Sequence, residues 1–229
     1  MKSLLSVFIL LLSLSSIAQN NYQLGNQLEF FRNNQIANGQ TKSTLTAADI
    51  KGSPYLNDEF IRANVFTTSK TQFPDIPLRL NIYNNEIEFK NQEGNIAAIA
   101  TPEIIEKITT DDYVLVYVPY SFAKRVNRGF FKLIVDGEVK LYARPNVEFK
   151  EAVPPAPYKE AESAQFIQKA DSYYLRFGTE AAQLIANKKD LETLFPDHKK
   201  EVAAFIKKHK INHRKEDKLK ELVVYYNSL

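Results

Sequence analysis

Cysteine is absent from the 229 residues. That excludes disulfides, thiol catalysis and cysteine-ligated zinc, and it excludes a lipid anchor attached through a cysteine at a cleavage site. Glycine is scarce, at seven residues, which leaves little material for loops that cradle phosphates. No GxSxG elbow, Walker loop, EF-hand loop, HExxH or dinucleotide fingerprint occurs, so an enzyme is the minority reading and no catalytic residue, metal or cofactor is expected. An excess of one charge is lacking too: 30 Lys and Arg against 27 Asp and Glu leave +3, too near balance to imply a polyanionic partner. Nucleic acid is therefore not expected.

Long apolar runs are missing except at the start. Lys2 supplies a positive n-region, the run from Leu4 to Leu14 is apolar apart from scattered serines, and Ser16-Ile17-Ala18 is a small-x-small site. Such a run is too short to span a bilayer, which needs about twenty apolar residues, and it predicts a signal peptide over 1–18 cleaved before Gln19. The remaining 19–229 hold no transmembrane segment by this criterion and are expected to be soluble. Cleavage takes Lys2 away and leaves +2. A cysteine-free exported chain must be held by its core, and 44% hydrophobic residues with 12% aromatics suffice for one.

What is there divides into zones. Residues 19–56 are rich in Asn, Gln, Ser and Thr and read as a polar arm with a short helix around 27–33, ending in the turn formers of 52–58. Residues 57–150 alternate as strands do. Leu78, Leu80 and Ile82 share one face, Ile87 and Phe89 follow, and a two-residue Asn84-Asn85 turn would pair Ile82 with Ile87 and Leu80 with Phe89. Residues 113–118 are apolar on both faces, as suits a central strand covered twice or a strand lining a groove. A second hairpin turns at Asp136-Gly137. A three-residue loop with Gly137 left-handed would pair Leu133 with Val139 and Phe131 with Leu141.

Residues 151–170 carry the prolines 154, 155 and 157 and read as an extended linker. Residues 171–229 then give a small hairpin, 173–177 against 182–185, and helices. Asn187 caps one that Pro196 stops, and Asp197 caps a second with the stripe Val202, Phe205, Ile206 and His209. Leu219, Leu222, Val223 and Tyr226 stripe a third. The fold class is α+β: an antiparallel meander sheet, curled or half-barrel, followed by a small β-hairpin and C-terminal helices.

Candidate sites are few. His209 and His213 stand i, i+4, but Asn212 and residues 215–217 predict a turn there, and with His198 no third ligand stands at metal spacing. Glu86 and Glu88 share a strand face and could hold a cation or act as an acid–base pair, yet alternation alone calls for polar residues on the solvent side; a hydrolase would draw on these carboxylates or on Asp111 or Asp112. Lys199, Lys200, Lys207, Lys208, Lys210, Arg214 and Lys215 read as the solvated face of helices. The pairs Phe30-Phe31, Phe130-Phe131, Tyr173-Tyr174 and Tyr225-Tyr226 place one ring on each side of their element. One ring of each serves the core, and Tyr113, Tyr117, Tyr173 and Tyr225 are the candidates for a binding surface.

The leader ending in Ser-Ile-Ala-Gln, residues 52–60 (GSPYLNDEF), residues 76–84 (IPLRLNIYN), and the ending KKHKIN at 207–212 with LVVYYN at 222–227 together resemble uncharacterised secreted cell-envelope proteins of Bacteroidota. The resemblance implies a periplasmic or outer-membrane-associated setting and transfers no activity or site residue. The functional expectation is an exported, non-catalytic envelope binding or scaffold protein whose partner is another envelope protein. The alternatives are a periplasmic carrier of a lipid or other small apolar ligand and, last, a carboxylate-dependent hydrolase.

Overall fold

The computed structural model describes residues 50–91 and 93–229. The expected leader, the helix around 27–33 and the Phe30-Phe31 pair lie outside the described residues. Among the described residues ten strands form one antiparallel sheet, not closed, with three helices after it, so the fold is α+β and mostly sheet. The strands are β1 Ile61–Thr67, β2 Gln72–Asn81, β3 Glu86–Lys90, β4 Ile96–Ala98, β5 Ile105–Thr109, β6 Val114–Phe122, β7 Arg125–Val135, β8 Val139–Lys150, β9 Gln165–Phe177 and β10 Gln183–Leu184. Their order is β10-β9-β8-β7-β6-β5-β1-β2-β3-β4. The chain runs outward through β1 to β4, returns to lay β5 beside β1, and then advances strand by strand.

The alternation expected around 78–89 is present, with its faces right and its register shifted. Leu80 pairs with Ile87, Leu78 with Phe89 and Asn81 with Glu86, so four residues, not two, make the turn. The cause is the segment before β1. The Ile82 N–H donates to Pro54 O at 2.7 Å and the Asn84 N–H to Asn81 Oδ1 at 3.1 Å, which draws residues 82–84 out of the ladder. A slip of two keeps every side chain on its face.

The two-sided apolar strand also has its explanation. In β6, Leu115 packs with Tyr113 and Tyr117 in a core of Leu78, Leu80, Ile87, Ile108 and Phe130. On the opposite face Val116, Val118 and Tyr120 pack with Phe131, Tyr142 and Tyr174. Phe130 and Phe131 are therefore both buried, at 1% and 0% exposure, one in each core. The division of labour expected for that pair does not hold, because β6 and β7 are covered on both faces.

The 136–137 hairpin departs from expectation. Three residues separate β7 from β8, but Val135 pairs with Leu141 and Leu133 with Tyr142 across a bulge, and Gly137 is not left-handed. Asn227, from beyond the last helix, takes the ladder's place: its Oδ1 accepts from Val139 N and its Nδ2 donates to Val139 O, both at 2.9 Å. A Cβ on Gly137 would lie 2.4 Å from Asn227 Nδ2. Glycine here serves the close approach of the asparagine.

The helices are α1 Lys188–Thr193, α2 Lys199–Lys208 and α3 Glu216–Tyr226. Asn187 caps α1 in a capping box with Asp190 as expected, whereas α2 starts after His198, left-handed at φ 51°, and not from an Asp197 cap. Leu191, Phe195, Val202, Ile206, Leu219, Leu222 and Val223 pack on Val135, Val139, Leu141 and Leu175 of the sheet. Each such side chain, fully buried, contributes about 1.5–3 kcal/mol. Residues 173–177 do pair with 183–184, but as the end of β9, which starts at Gln165, inside the segment read as a linker.

Candidate functional site

Pro145 decides where the sheet parts. The β7–β8 ladder runs from Val135–Leu141 to Lys132–Ala143, and the next hydrogen-bonding position on β8 would fall to Pro145, which has no N–H to give. Beyond it β6–β7 continue as one ribbon to Phe122–Arg125. The β8–β9 ladder, shifted by a bulge between Arg144 and Asn146, continues as another to Lys150–Gln165.

The β2–β3 turn sits in the gap. Asn85, left-handed at φ 58°, offers Phe130 what a neighbouring strand would: its Oδ1 accepts from Phe130 N at 2.6 Å and its Nδ2 donates to Phe130 O at 3.1 Å. A Cβ on Gly129 would come within 2.5 Å of Asn85 Oδ1. Tyr83 meets the other ribbon edge-on, with ring centroids 5.5 Å from Phe166 and 6.3 Å from Phe149.

The space left between turn and ribbons is a cleft of ≈ 420 Å³. Asn84, Asn85, Asn127, Glu86, Arg128 and Arg144 supply its polar wall, and Tyr117, Tyr120 and Phe130 supply rings. Arg144 lies 4.7 Å from the Tyr120 ring centroid and near enough to Tyr174 that its charge opposes the rise burial gives that hydroxyl. These contacts fix its guanidinium plane without neutralising it. Among the described residues neither Arg128 nor Arg144 forms an ion pair. Glu86 is half-buried, and burial holds its carboxyl above the ordinary range; the Asn84 amide opposes this and the Glu88 charge adds to it. Burial likewise raises the Tyr117 hydroxyl, with Glu103 adding and Arg128 opposing.

The cleft can hold an anionic group in two planar forks, give and accept hydrogen bonds through three amides, and lay a flat or aliphatic face on Tyr117. Glu86 is the one carboxylate on its wall among the described residues, so an acid–base pair is not assembled there.

Glu88 does not sit on a solvent face as alternation suggested. It is 8% exposed because residues 55–60 cover β3. Arg79 grips Glu88 Oε2 through Nε at 3.0 Å and Nη2 at 2.8 Å, Tyr55 donates to Oε1 at 3.3 Å, and the Arg79 guanidinium lies 3.6 Å from the Tyr55 ring centroid. Glu88 belongs to a brace between the N-terminal segment and the sheet.

The four candidate tyrosines are dispersed. Tyr117 reaches the cleft. Tyr113 donates to Asn57 Oδ1, Tyr173 packs against the helical core, and Tyr225 stacks on Phe205 at 4.1 Å. His209 caps the end of α2, stacked on Phe205 and paired with Glu221, and the turn expected before His213 is present. Among the described residues no three His, Cys, Asp or Glu come together as a metal group. Lys199, Lys200, Lys207, Lys208, Lys210, Arg214 and Lys215 are exposed, and no described helix is long and apolar enough to cross a membrane. Sequence reasoning missed Arg128, Arg144 and the three asparagines of the cleft. Pro145 inside an alternating strand was the available signal. The chain matches no family model, no curated protein and no solved structure.

Proposed function

We propose that the chain is an exported, non-catalytic binding protein of the cell envelope, and that its curled sheet holds a small polar ligand bearing a carboxylate in the cleft between the two ribbons. The observation that carries this reading is the pair Arg128 and Arg144, two guanidiniums in one recess with no carboxylate paired to either among the described residues. Arg144, half-buried and without a counter-ion, favours an incoming anion, the exposed Arg128 beside the same recess adds to that pull, and the planar fork suits a carboxylate. The asparagines and Tyr117 suit hydroxyls and a ring face, which makes a sugar acid the natural probe. The polar wall favours such a ligand over a lipid or other apolar cargo. The leader-like 1–18 and the resemblance to secreted proteins of Bacteroidota support the periplasmic or outer-membrane-associated setting.

The test is thermal unfolding of the chain with galacturonate and with its neutral counterpart galactose. Galacturonate should raise the melting temperature of the wild type, galactose much less, and Arg144→Gln should abolish the difference. No response to galacturonate, or an equal response in Arg144→Gln, would overturn the reading.

A further inference from the structure

The β6–β7 ribbon runs on past the cleft and ends in Phe122-Ala123-Lys124-Arg125-Val126. Two of the large exposed apolar side chains of the described residues stand here, Phe122 at 57% and Val126 at 68% exposure. Phe122 pairs with Arg125 and Ser121 with Val126, and side chains of successive pairs point to opposite faces. The ribbon therefore presents an apolar side chain from each face of its tip. Residues 113–135 contain no Asp or Glu, while Lys124, Arg125 and Arg128 are exposed and form no ion pair among the described residues. The turn itself is strained: Ala123 has φ 49° and Lys124 φ 63°, where Asn-Gly would sit without penalty. A two-residue hairpin turn needs positive φ at both positions, and here Ala123-Lys124 meets that need, which sets a lysine at the very tip.

We propose that this tip docks the protein on an anionic lipid surface. Phe122 and Val126 enter the boundary between headgroups and acyl chains, and Lys124 and Arg125 meet lipid phosphates as their stems follow the apolar residues down. A fluid interface surrounds an inserted tip and accepts apolar groups from both faces at once, whereas a flat protein partner touches one. Lys124 and Arg125, on a ribbon that itself carries no acidic residue, select anionic over neutral lipid. This inference stands apart from the ligand cleft, since neither Phe122 nor Val126 lines it.

The chain contains no tryptophan, so Phe122→Trp places a single reporter at the tip. Its emission should shift to the blue with phosphatidylglycerol vesicles and remain unchanged with phosphatidylcholine vesicles. Co-sedimentation of the otherwise wild-type chain with phosphatidylglycerol vesicles should fall at least tenfold in Lys124→Glu/Arg125→Glu and in Phe122→Ser/Val126→Ser, and should weaken with salt. Unfolding curves of all variants confirm that they fold, and the conservative Lys124→Gln/Arg125→Gln replaces any that does not. No blue shift with anionic vesicles, or co-sedimentation indifferent to both double variants, overturns the proposal. A shift with polyglutamate and none with vesicles also overturns it and assigns the tip to an acidic protein.

Discussion

Asn85 joins the β2–β3 turn to the wall of the cleft, and the cost of losing it can be worked out. Asn85→Gly removes the bonds to Phe130 N and O, at 2.6 and 3.1 Å. Phe130 is 1% exposed, so water does not readily replace them. Two neutral bonds at about 1 kcal/mol each, with up to about 1 more for a buried group left unmatched, give about 2–3 kcal/mol. Asn85→Ala loses the same bonds and must hold φ 58° with a Cβ, which adds about 1 kcal/mol. At about 2–4 °C per kcal/mol for a chain of this size, Asn85→Gly lowers Tm by about 4–12 °C and Asn85→Ala by a further 2–4 °C or so.

Gly129 supplies the control. Its Cβ would meet Asn85 Oδ1 at 2.5 Å, while the next obstruction outside that side chain is Tyr120 Cε1 at 3.4 Å. Gly129→Ala should thus be costly in the wild type and far less so in the Asn85→Gly background, a coupling of about 1 kcal/mol or more. Urea unfolding of the four proteins in the cycle, with Asn85→Ala beside them, measures all of this. Additive costs, or an Asn85→Gly protein within about 0.5 kcal/mol of wild type, would show that the asparagine does not stand in for the missing strand.

Two further outcomes follow from the buried polar groups. Glu88→Ala should cost about 3 kcal/mol or more, because it leaves the Arg79 guanidinium, 15% exposed, without its carboxylate. Glu88→Gln, which keeps an acceptor, should cost less, and equal urea midpoints for both variants would count against the brace. The Tyr55 and Tyr113 hydroxyls are pushed up to about 12 by burial first, with Glu88 and Asp112 respectively adding. The unfolded chain releases these protons near the ordinary 10 while the folded chain keeps them, so their stabilisation is whole below pH 10 and is lost as pH rises towards 12. Urea midpoints should fall across that window, less steeply in Tyr55→Phe/Tyr113→Phe; a flat profile would contradict the burial of these hydroxyls.

The parts of the fold legible in the sequence are those set by near neighbours. Leu78, Leu80, Ile87 and Phe89 showed their common face by period two, and the stripe of Leu219, Leu222 and Val223 showed the buried side of α3 by period 3.6. The capping box at Asn187 needs only Asp190 three residues on. Illegible were the contacts made across long stretches of chain. Asn85 reaches a strand 45 residues away and Asn227 one 88 residues away, and no local pattern distinguishes such an asparagine from a turn former. Glu88 was misread for a related reason: alternation tells which face a residue shares but not that residues 55–60 fold back to cover it.

The cleft itself follows from one legible residue whose meaning depends on the rest. Pro145 is an N–H missing from an otherwise regular strand, and in a flat sheet it would be tolerated only at an edge or a bulge. Here the bulge falls beside it, between Arg144 and Asn146 on β8. The ladder to β7 ends there, and the unpaired backbone of Phe130 has to be satisfied by something other than β8. Asn85 does so from the β2–β3 turn, which cannot enter the gap without leaving space beside its own flanks. Asn84 and Glu86 flank that space on one side, and Arg128 and Arg144 on the other, each brought by an element adjoining the break. The same interruption that weakens the sheet therefore assembles the cleft, and the residue that takes the place of the lost ladder is an asparagine, whose amide supplies hydrogen bonds without charge; Glu86 is the one carboxylate on the wall among the described residues, and neither guanidinium pairs with it.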